Sequence, residues 1–279
     1  MVDFVKYNSI LREQERPIRF IIGRILMLTG LSKFIIINRD QFKIYFNPTA
    51  VTANYWMNPE KVYSEESFFT HFLESGDTVV DVGANIGALT LTAAHKVGDS
   101  GKVISVEAHP RTFRFLKNNI NLNNFKNIDC YNVAVGENEG YINFSDNISS
   151  DDENGVTLDS KGIMIKVEKL DNILKNVGST ITLLKIDVEG FELFVLKGST
   201  KVLQNVKHIY LESWEDHFKK YGYSTPELIR FITSQGFKLF KLHNHHLSAV
   251  EGNYVSRLCE NLIATKDESE LRQRLENYR

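Results

Sequence analysis

Cysteine is scarce in this chain. Among 279 residues there are two, Cys130 and Cys259. Two thiols can build neither a disulfide scaffold nor a four-thiolate zinc site, and a reducing compartment is the simplest expectation. Long apolar runs are missing too. No uncharged apolar stretch reaches the ~18 residues of a spanning helix. The opening residues, MVDFVKYNSILREQERP, carry early acids and no apolar core of a signal peptide, so a cytoplasmic chain is expected. Charge of one sign is also lacking. The net charge is -2, so nothing global attracts the chain to nucleic acid.

What is present suits one α/β domain with an N-terminal addition. The segment Arg16 to Arg39, RPIRFIIGRILMLTGLSKFIIINR, is rich in Ile, Leu and Phe and interleaved with Arg16, Arg19, Arg24, Lys33 and Arg39. Pro17 can open a helix that ends near Gly30. That helix either docks on the remaining chain or lies on an anionic membrane surface, a peripheral contact through residues 16–39. FIIIN and FKIYFNP, flanking Arg39-Asp40-Gln41, predict a short hairpin. These pieces make an extension over residues 1–60.

From residue 76 strand and helix patterns alternate. TVVDVGA, KVISVEA, IDCYNVAV, TLLKIDVE and HIYLESW read as strands, with FKLFKLH and ENLIATK as closing strands. Helices are predicted over 86–97, from Pro110, over 191–203 and over 224–235. Ser224 and Glu227 have capping-box spacing, with Pro226 in the first turn. The expectation is a Rossmann-like, doubly wound α/β domain over 61–266. Its sheet is seven-stranded and mostly parallel, with an antiparallel C-terminal edge hairpin. The acidic stretch 146–161 is expected as an excursion between strands, and 267–279 as a polar, charged tail that forms a frayed helix.

The chemistry begins in DVGANIG, where a strand ends at Asp81 and Val82 and a helix starts near Ile86. Gly83 allows a tight bend and Gly87 a close helix–strand approach. A dinucleotide turn would have G-x-G-x-x-G, but Asn85 stands at the middle glycine. A P-loop would follow the last glycine with lysine, and none does. A ligand without phosphates, with an amino-acid end and a nucleoside end, fits better. Glu107 supports this, since an acid tipping the second strand can accept hydrogen bonds from both ribose hydroxyls. Asp81, Gly83, Gly87 and Glu107 together point to S-adenosyl-L-methionine.

The runs VVDVGANIGALTL, VISVEAHP, NVAVGENEG and LLKIDVEGFELFVLKG resemble the FkbM family of S-adenosylmethionine-dependent methyltransferases over roughly residues 62 to 240. The resemblance implies a class I methyltransferase fold and methyl transfer, usually to a hydroxyl oxygen of a sugar or natural product. It also implies that Asp81, Gly83, Ala84, Asn85 and Gly87 hold the methionine end. Glu107, with its neighbour Ala108, would hold the ribose, and Asn132, Val133 and Ala134 would lie near the adenine. The acceptor expected is a small molecule or glycan, not a nucleic acid; the alternatives are an RNA methyltransferase and a non-catalytic binding module that keeps the cofactor fold. An Asp/Asn-Pro-Pro-Tyr/Phe turn, used on base amino groups, is absent, and Asp187-Val188-Glu189-Gly190 stands in its place.

Transfer to a hydroxyl asks for a base or a metal. The candidates sit at the tips of strands four and five: Asp187, Glu189 and Glu212. Asp187 is placed to orient the acceptor or take its proton, with the alternatives of capping the following helix or binding the cofactor's amino group. Glu189 has the alternative of an N-terminal helix charge. Asp187 and Glu212 could hold a divalent ion, although no metal site is favoured. His217 is a further candidate base. Trp214, Tyr221 and Tyr223 could stack on a sugar ring or simply pack. His243-Asn244-His245-His246 lacks the spacing of a metal site.

Overall fold

The computed structural model describes residues 15–147, 154–157, 162–178, 180–243 and 246–276. Pro17 opens helix α1 (Pro17–Leu28), and Gly30, at φ +70°, lets the chain turn after it. The hairpin follows as β1 (Ile36–Asn38) and β2 (Lys43–Tyr45), antiparallel with Ile37 opposite Ile44. Two helices, α2 (Ala50–Met57) and α3 (Ser64–Phe72), lead into the sheet. Thr49 caps α2, its side chain accepting from the Thr52 amide.

The sheet is built by β3 (Thr78–Val82), β4 (Lys102–Val106) and β5 (Ile128–Tyr131), separated by α4 (Ala88–Val97) and α5 (Pro110–Asn123). A small second sheet holds β6 (Ala134–Val135), β7 (Gly140–Phe144) and β8 (Ile163–Glu168) in the order β6-β8-β7. The main sheet resumes after the short α6 (Leu170–Ile173). It continues through β9 (Ile181–Ile186), α7 (Glu192–Lys197), β10 (Val206–Ser213), α8 (Glu215–Lys220) and α9 (Thr225–Ser234). It closes with β11 (Lys238–His243), β12 (His246–Ala249) and β13 (Glu260–Thr265), and α10 (Glu268–Leu275) ends the described chain.

The main sheet runs β12-β11-β13-β10-β9-β3-β4-β5. Its pairs from β10 to β5 are parallel, and β13 is antiparallel to both neighbours. The seven strands anticipated all lie in it, and β12 adds an eighth. The two closing strands do pair, but β13 is inserted between β10 and β11. The edge hairpin is therefore β11–β12, in which His243 faces His246. Alternation within the apolar strands explains two cores rather than one. Val80, Ile104 and Leu184 point to one face, and Val79, Val103 and Leu183 to the other.

Three boundaries moved. IDCYNVAV is two strands, because the Asn132 side-chain amide donates to the Glu107 and Ala108 carbonyls, at 2.9 Å each, and breaks the ladder. The helix anticipated over 191–203 ends at Lys197, and a separate 3-10 turn follows over Val202–Asn205; between them Gly198 packs so closely that a Cβ there would meet the Gly136 carbonyl oxygen at 2.1 Å. The charged segment after 266 forms helix α10, as anticipated, but docked on the domain and not frayed. Leu271 and Leu275 are buried, and Arg274 donates to Asp77 at 2.7 and 3.2 Å and to the Phe72 carbonyl at 3.2 Å. Periodic leucines on a short charged helix are what the composition concealed. Most of the acidic stretch 146–161 lies outside the described residues. Its middle part shows a bridge from Val156 to Phe144.

Candidate active site

The carboxyl ends of β3, β4 and β9 meet at a cavity lined by Gly83, Asn85, Glu107, Ala108, Val133, Ala134, Asp187 and Glu189. Thr112, Phe144 and Val156 also line it and were not anticipated. A second cavity shares Gly83, Asn85 and Asp187 with the first and adds Ala84, Tyr63, Glu65 and Lys185, with Asn54 and Tyr55 from the N-terminal extension. Asp187 therefore stands where the two cavities join.

The glycine turn is shaped from below. Gly83 is at φ +78°, and a Cβ there would stand 1.8 Å from the Asp187 carbonyl oxygen. The close neighbour that requires glycine is thus the tip of β9. Gly87, at φ +94°, serves packing: a Cβ there would meet Leu116 Cδ1 of α5 at 2.6 Å. It lines neither cavity and faces a helix, not a strand. Asn85, at φ +50°, adopts the left-handed conformation that asparagine tolerates.

Asp81 departs from its expected place. Its side chain is fully buried, accepts from Thr90 Oγ1 at 2.6 Å, and lies 3.3 Å from Lys185 Nζ. Alternation along β3 turns it away from both cavities, so it acts on the turn through Lys185. That lysine, missed in the sequence, donates to the Gly83 carbonyl at 2.7 Å and pairs with Asp187 at 3.3 Å. Burial works against its charge, but Asp187, Asp81 and Glu65 outweigh burial and hold its pKa above the ordinary range. Its only sequence signal was a lysine inside the apolar run of β9.

Glu107 accepts from the Asn85 amide at 2.9 Å and the His109 amide at 2.8 Å. Burial raises its pKa to about 7 in spite of those bonds. Each oxygen keeps a further lone pair for a hydroxyl. Asn132 does not line the cavity. Its amide is spent on the carbonyls after β4, and only Val133 and Ala134 of that trio reach the wall.

Past Asp187 the chain bends at Glu189, a non-glycine residue at φ +56°, and Gly190, at φ +96°. Such a left-handed residue costs about 1–3 kcal/mol and marks a position held by its surroundings. The holder is Glu192, which accepts from the Val188 amide at 3.0 Å and the Gly190 amide at 3.2 Å. Glu192 is buried, which pushes its pKa up to about 8. Gly190 admits α8, since a Cβ there would touch His217 and Tyr221 at 2.9 Å.

This approach brings Glu189, Glu212 and His217 together, with their ligand-type atoms within 4.8 Å of one another. His217 Nδ1 lies 3.5 Å from Glu189 and 3.8 Å from Glu212. Burial, then Lys220, lowers the His217 pKa. Burial, then Asp187, raises that of Glu212 to about 7. These three residues could hold a divalent ion. Asp187, the partner anticipated for Glu212, is not among them. Glu212 lines neither cavity, but its neighbour Glu189 does.

The aromatic candidates separate. Trp214 lies against the His217 ring, with centroids 4.1 Å apart. Tyr223 is buried and donates to the Gly190 carbonyl at 2.7 Å. Tyr221 donates to the Val156 carbonyl at 2.7 Å, tying α8 to the acidic excursion. Of the histidine run, Asn244 and His245 lie outside the described residues. His243 and His246 pair at the sheet edge, far along the order from β3.

A doubly wound sheet with a glycine bend after its first core strand and an acid tipping the second defines a Rossmann-like methyltransferase dependent on S-adenosylmethionine. The Methyltransferase FkbM domain matches residues 81–239, and the chain belongs to the FkbM methyltransferase family. "Methyltransferase 1" of Beauveria bassiana (strain ARSEF 2860) is similar, at 24% identity over 182 residues, covering 57% of this chain and 72% of that protein. Among solved structures, Methyltransferase FkbM from Methylobacillus flagellatus KT is similar at a TM-score of 0.47 and 16% identity. The match covers 76% of this chain and 52% of that one. A precorrin-6y C5,15-methyltransferase from Geobacter metallireducens GS-15 is similar at a TM-score of 0.43 and 11% identity, over 74% of this chain and 93% of that one.

Proposed function

We propose that this methyltransferase acts on a hydroxyl oxygen of a sugar, glycan or other small natural product in the cytoplasm, with residues 16–39 as a peripheral membrane contact. The observation that carries the hydroxyl assignment is the Glu189–Glu212–His217 cluster, of which Glu189 lines the first cavity together with Asp187. When bound, S-adenosylmethionine supplies an electrophilic methyl group. The donor set fits it: Glu107 offers acceptors for ribose hydroxyls, while Val133, Ala134, Phe144 and Val156 offer apolar walls for a base. The Gly83 to Asn85 bend would hold the amino-acid end, and Ala108 would flank the ribose.

Asp187 accepts a hydrogen bond from the acceptor hydroxyl and so orients its oxygen. The proton passes to the Glu189–Glu212–His217 cluster. A neutral His217 can take that proton, and Asp187 and Asp216 are the charges that favour its protonated form. We assign the proton step to these protein groups, not to a divalent ion. Glu107, Asp187 and Glu189 line the first cavity and Glu65 and Asp187 the second, so the carboxylic side chains of the linings outnumber Lys185, the one Lys or Arg among them. That disfavours a nucleic-acid backbone, which seeks cations.

The test is methyl transfer from radiolabelled S-adenosylmethionine to a panel of sugars and hydroxylated natural products. Glu212→Gln and His217→Ala should lower kcat about a hundredfold while cofactor affinity stays within about threefold. EDTA should leave the rate unchanged. Transfer to RNA but to no hydroxylated small molecule would overturn the acceptor assignment. An EDTA-sensitive rate restored by Mn²⁺ would overturn the proton assignment.

A further inference from the structure

Among the described residues, helix α1 is docked by one face only. On that face Gly23 meets the Trp56 ring so closely that a Cβ would stand 2.8 Å from it. Trp56 Nε1 donates to the Arg19 carbonyl at 2.8 Å, and the Trp56 ring stacks on Phe46. The opposite face carries Ile18, Ile21, Ile22, Ile25 and Leu28, whose spacing puts them on one stripe. Phe34 extends the patch beyond the helix. All six are exposed, Leu28 by 81% and Phe34 by 73%. A contiguous apolar patch of this kind is unusual on a protein that stays alone in water.

Charge decides what covers it. Residues 16–39 hold five cations and no acid. Arg16 pairs with Glu60 and Arg39 with Glu66, which neutralises both. Arg19 lies over the Trp56 ring. Arg24 and Lys33 remain exposed beside the stripe. A second copy of this face would bring these cations against their own counterparts. An anionic bilayer accepts both features, the apolar side chains below the headgroups and the cations among them. Spanning is excluded for α1, because a 12-residue helix reaches about 18 Å against a hydrocarbon core of about 30 Å.

We infer that α1 and the turn through Phe34 seat this enzyme on the surface of a bilayer containing anionic lipid. The same α2 that holds α1 through Trp56 gives Asn54 and Tyr55 to the second cavity. Both α1 and α2 therefore stand between that cavity and the seated face, about two helix diameters or roughly 20 Å. An acceptor carried by the membrane is then the class within reach, a consequence that rests on the hydroxyl assignment above. Seating itself does not.

The experiment is flotation of the full chain with vesicles of phosphatidylcholine, with and without about 30% phosphatidylglycerol. No cofactor or acceptor is present, so the outcome is independent of the chemistry assigned to the site. The chain should float with the anionic vesicles and much less with the neutral ones. Ile22→Asp/Ile25→Asp and, separately, Leu28→Asp should keep Tm within about 3 °C, because those side chains touch solvent, and lose flotation. Arg24→Glu/Lys33→Glu should weaken binding about tenfold at low salt. Failure of the unaltered chain to float overturns the inference, as does flotation that survives both apolar substitutions. A dimer in light scattering that Leu28→Asp converts to monomer would overturn it in favour of a second copy.

Discussion

Lys185 Nζ donates to the Gly83 carbonyl oxygen at 2.7 Å, so a buried cation at one strand tip fixes the bend at the next. Asp81 and Asp187 lie at 3.3 Å on either side of it. Removing the cation leaves Asp81 buried without its counter-charge. Lys185→Met should therefore cost about 3–5 kcal/mol, read by urea unfolding. A loss below about 1 kcal/mol would show that the bend holds without it.

Glu192 makes stability fall as pH rises. Its folded pKa, about 8, exceeds the ordinary value of 4.5. The folded state therefore binds the proton more tightly than the unfolded chain does. The contribution is complete below pH 4.5 and is lost as pH climbs through about 8. Glu107 and Glu212, each raised to about 7, act in the same sense. Tm should drop by several degrees between pH 5 and pH 8.5, and Glu192→Gln should flatten the upper part of that slope. An unchanged slope in the variant would refute this account.

Glu107→Gln addresses the cofactor directly. The amide keeps the shape but loses a charged acceptor for hydroxyls, a change worth about 1.5–3 kcal/mol. Affinity for S-adenosylmethionine, measured by calorimetry, should weaken about tenfold to a hundredfold. Because the carboxylate also holds the Asn85 and His109 amides, Tm is read in parallel. Affinity that stays the same would remove Glu107 from the ribose subsite.

Arg274 closes the fold from the far end of the chain. Its guanidinium donates twice to Asp77, 197 residues earlier, just before β3. Arg274→Ala should destabilise the protein by about 2–4 kcal/mol, since it strands a buried aspartate and frees the Phe72 carbonyl. Chemical denaturation that finds no change would return the last helix to the status of a tail.

Local patterns made much of this legible. The Pro17 start, the hairpin around Asp40, the strand runs and the helix after Ser224 follow from spacing and backbone limits within about a dozen residues. DVGANIG and KIDVEG exposed the site for the same reason, since each is one contiguous bend at a strand tip. Asp81 was misplaced because an acid next to a glycine turn looks the same whether its side chain faces a ligand or a buried lysine. Glu212 and His217 could be named but not joined.

The sequence by itself determined the alternation of strand and helix, the family and the segments that bend at the edge of the candidate site, because those depend on neighbours along the chain. Only the tertiary structure decided that Lys185 lies under Gly83, that Glu189, Glu212 and His217 converge, that Arg274 meets Asp77, and which face of α1 is left bare. Those depend on the strand order and on which side of each element points inward, and no local spacing encodes a contact between residues a hundred positions apart.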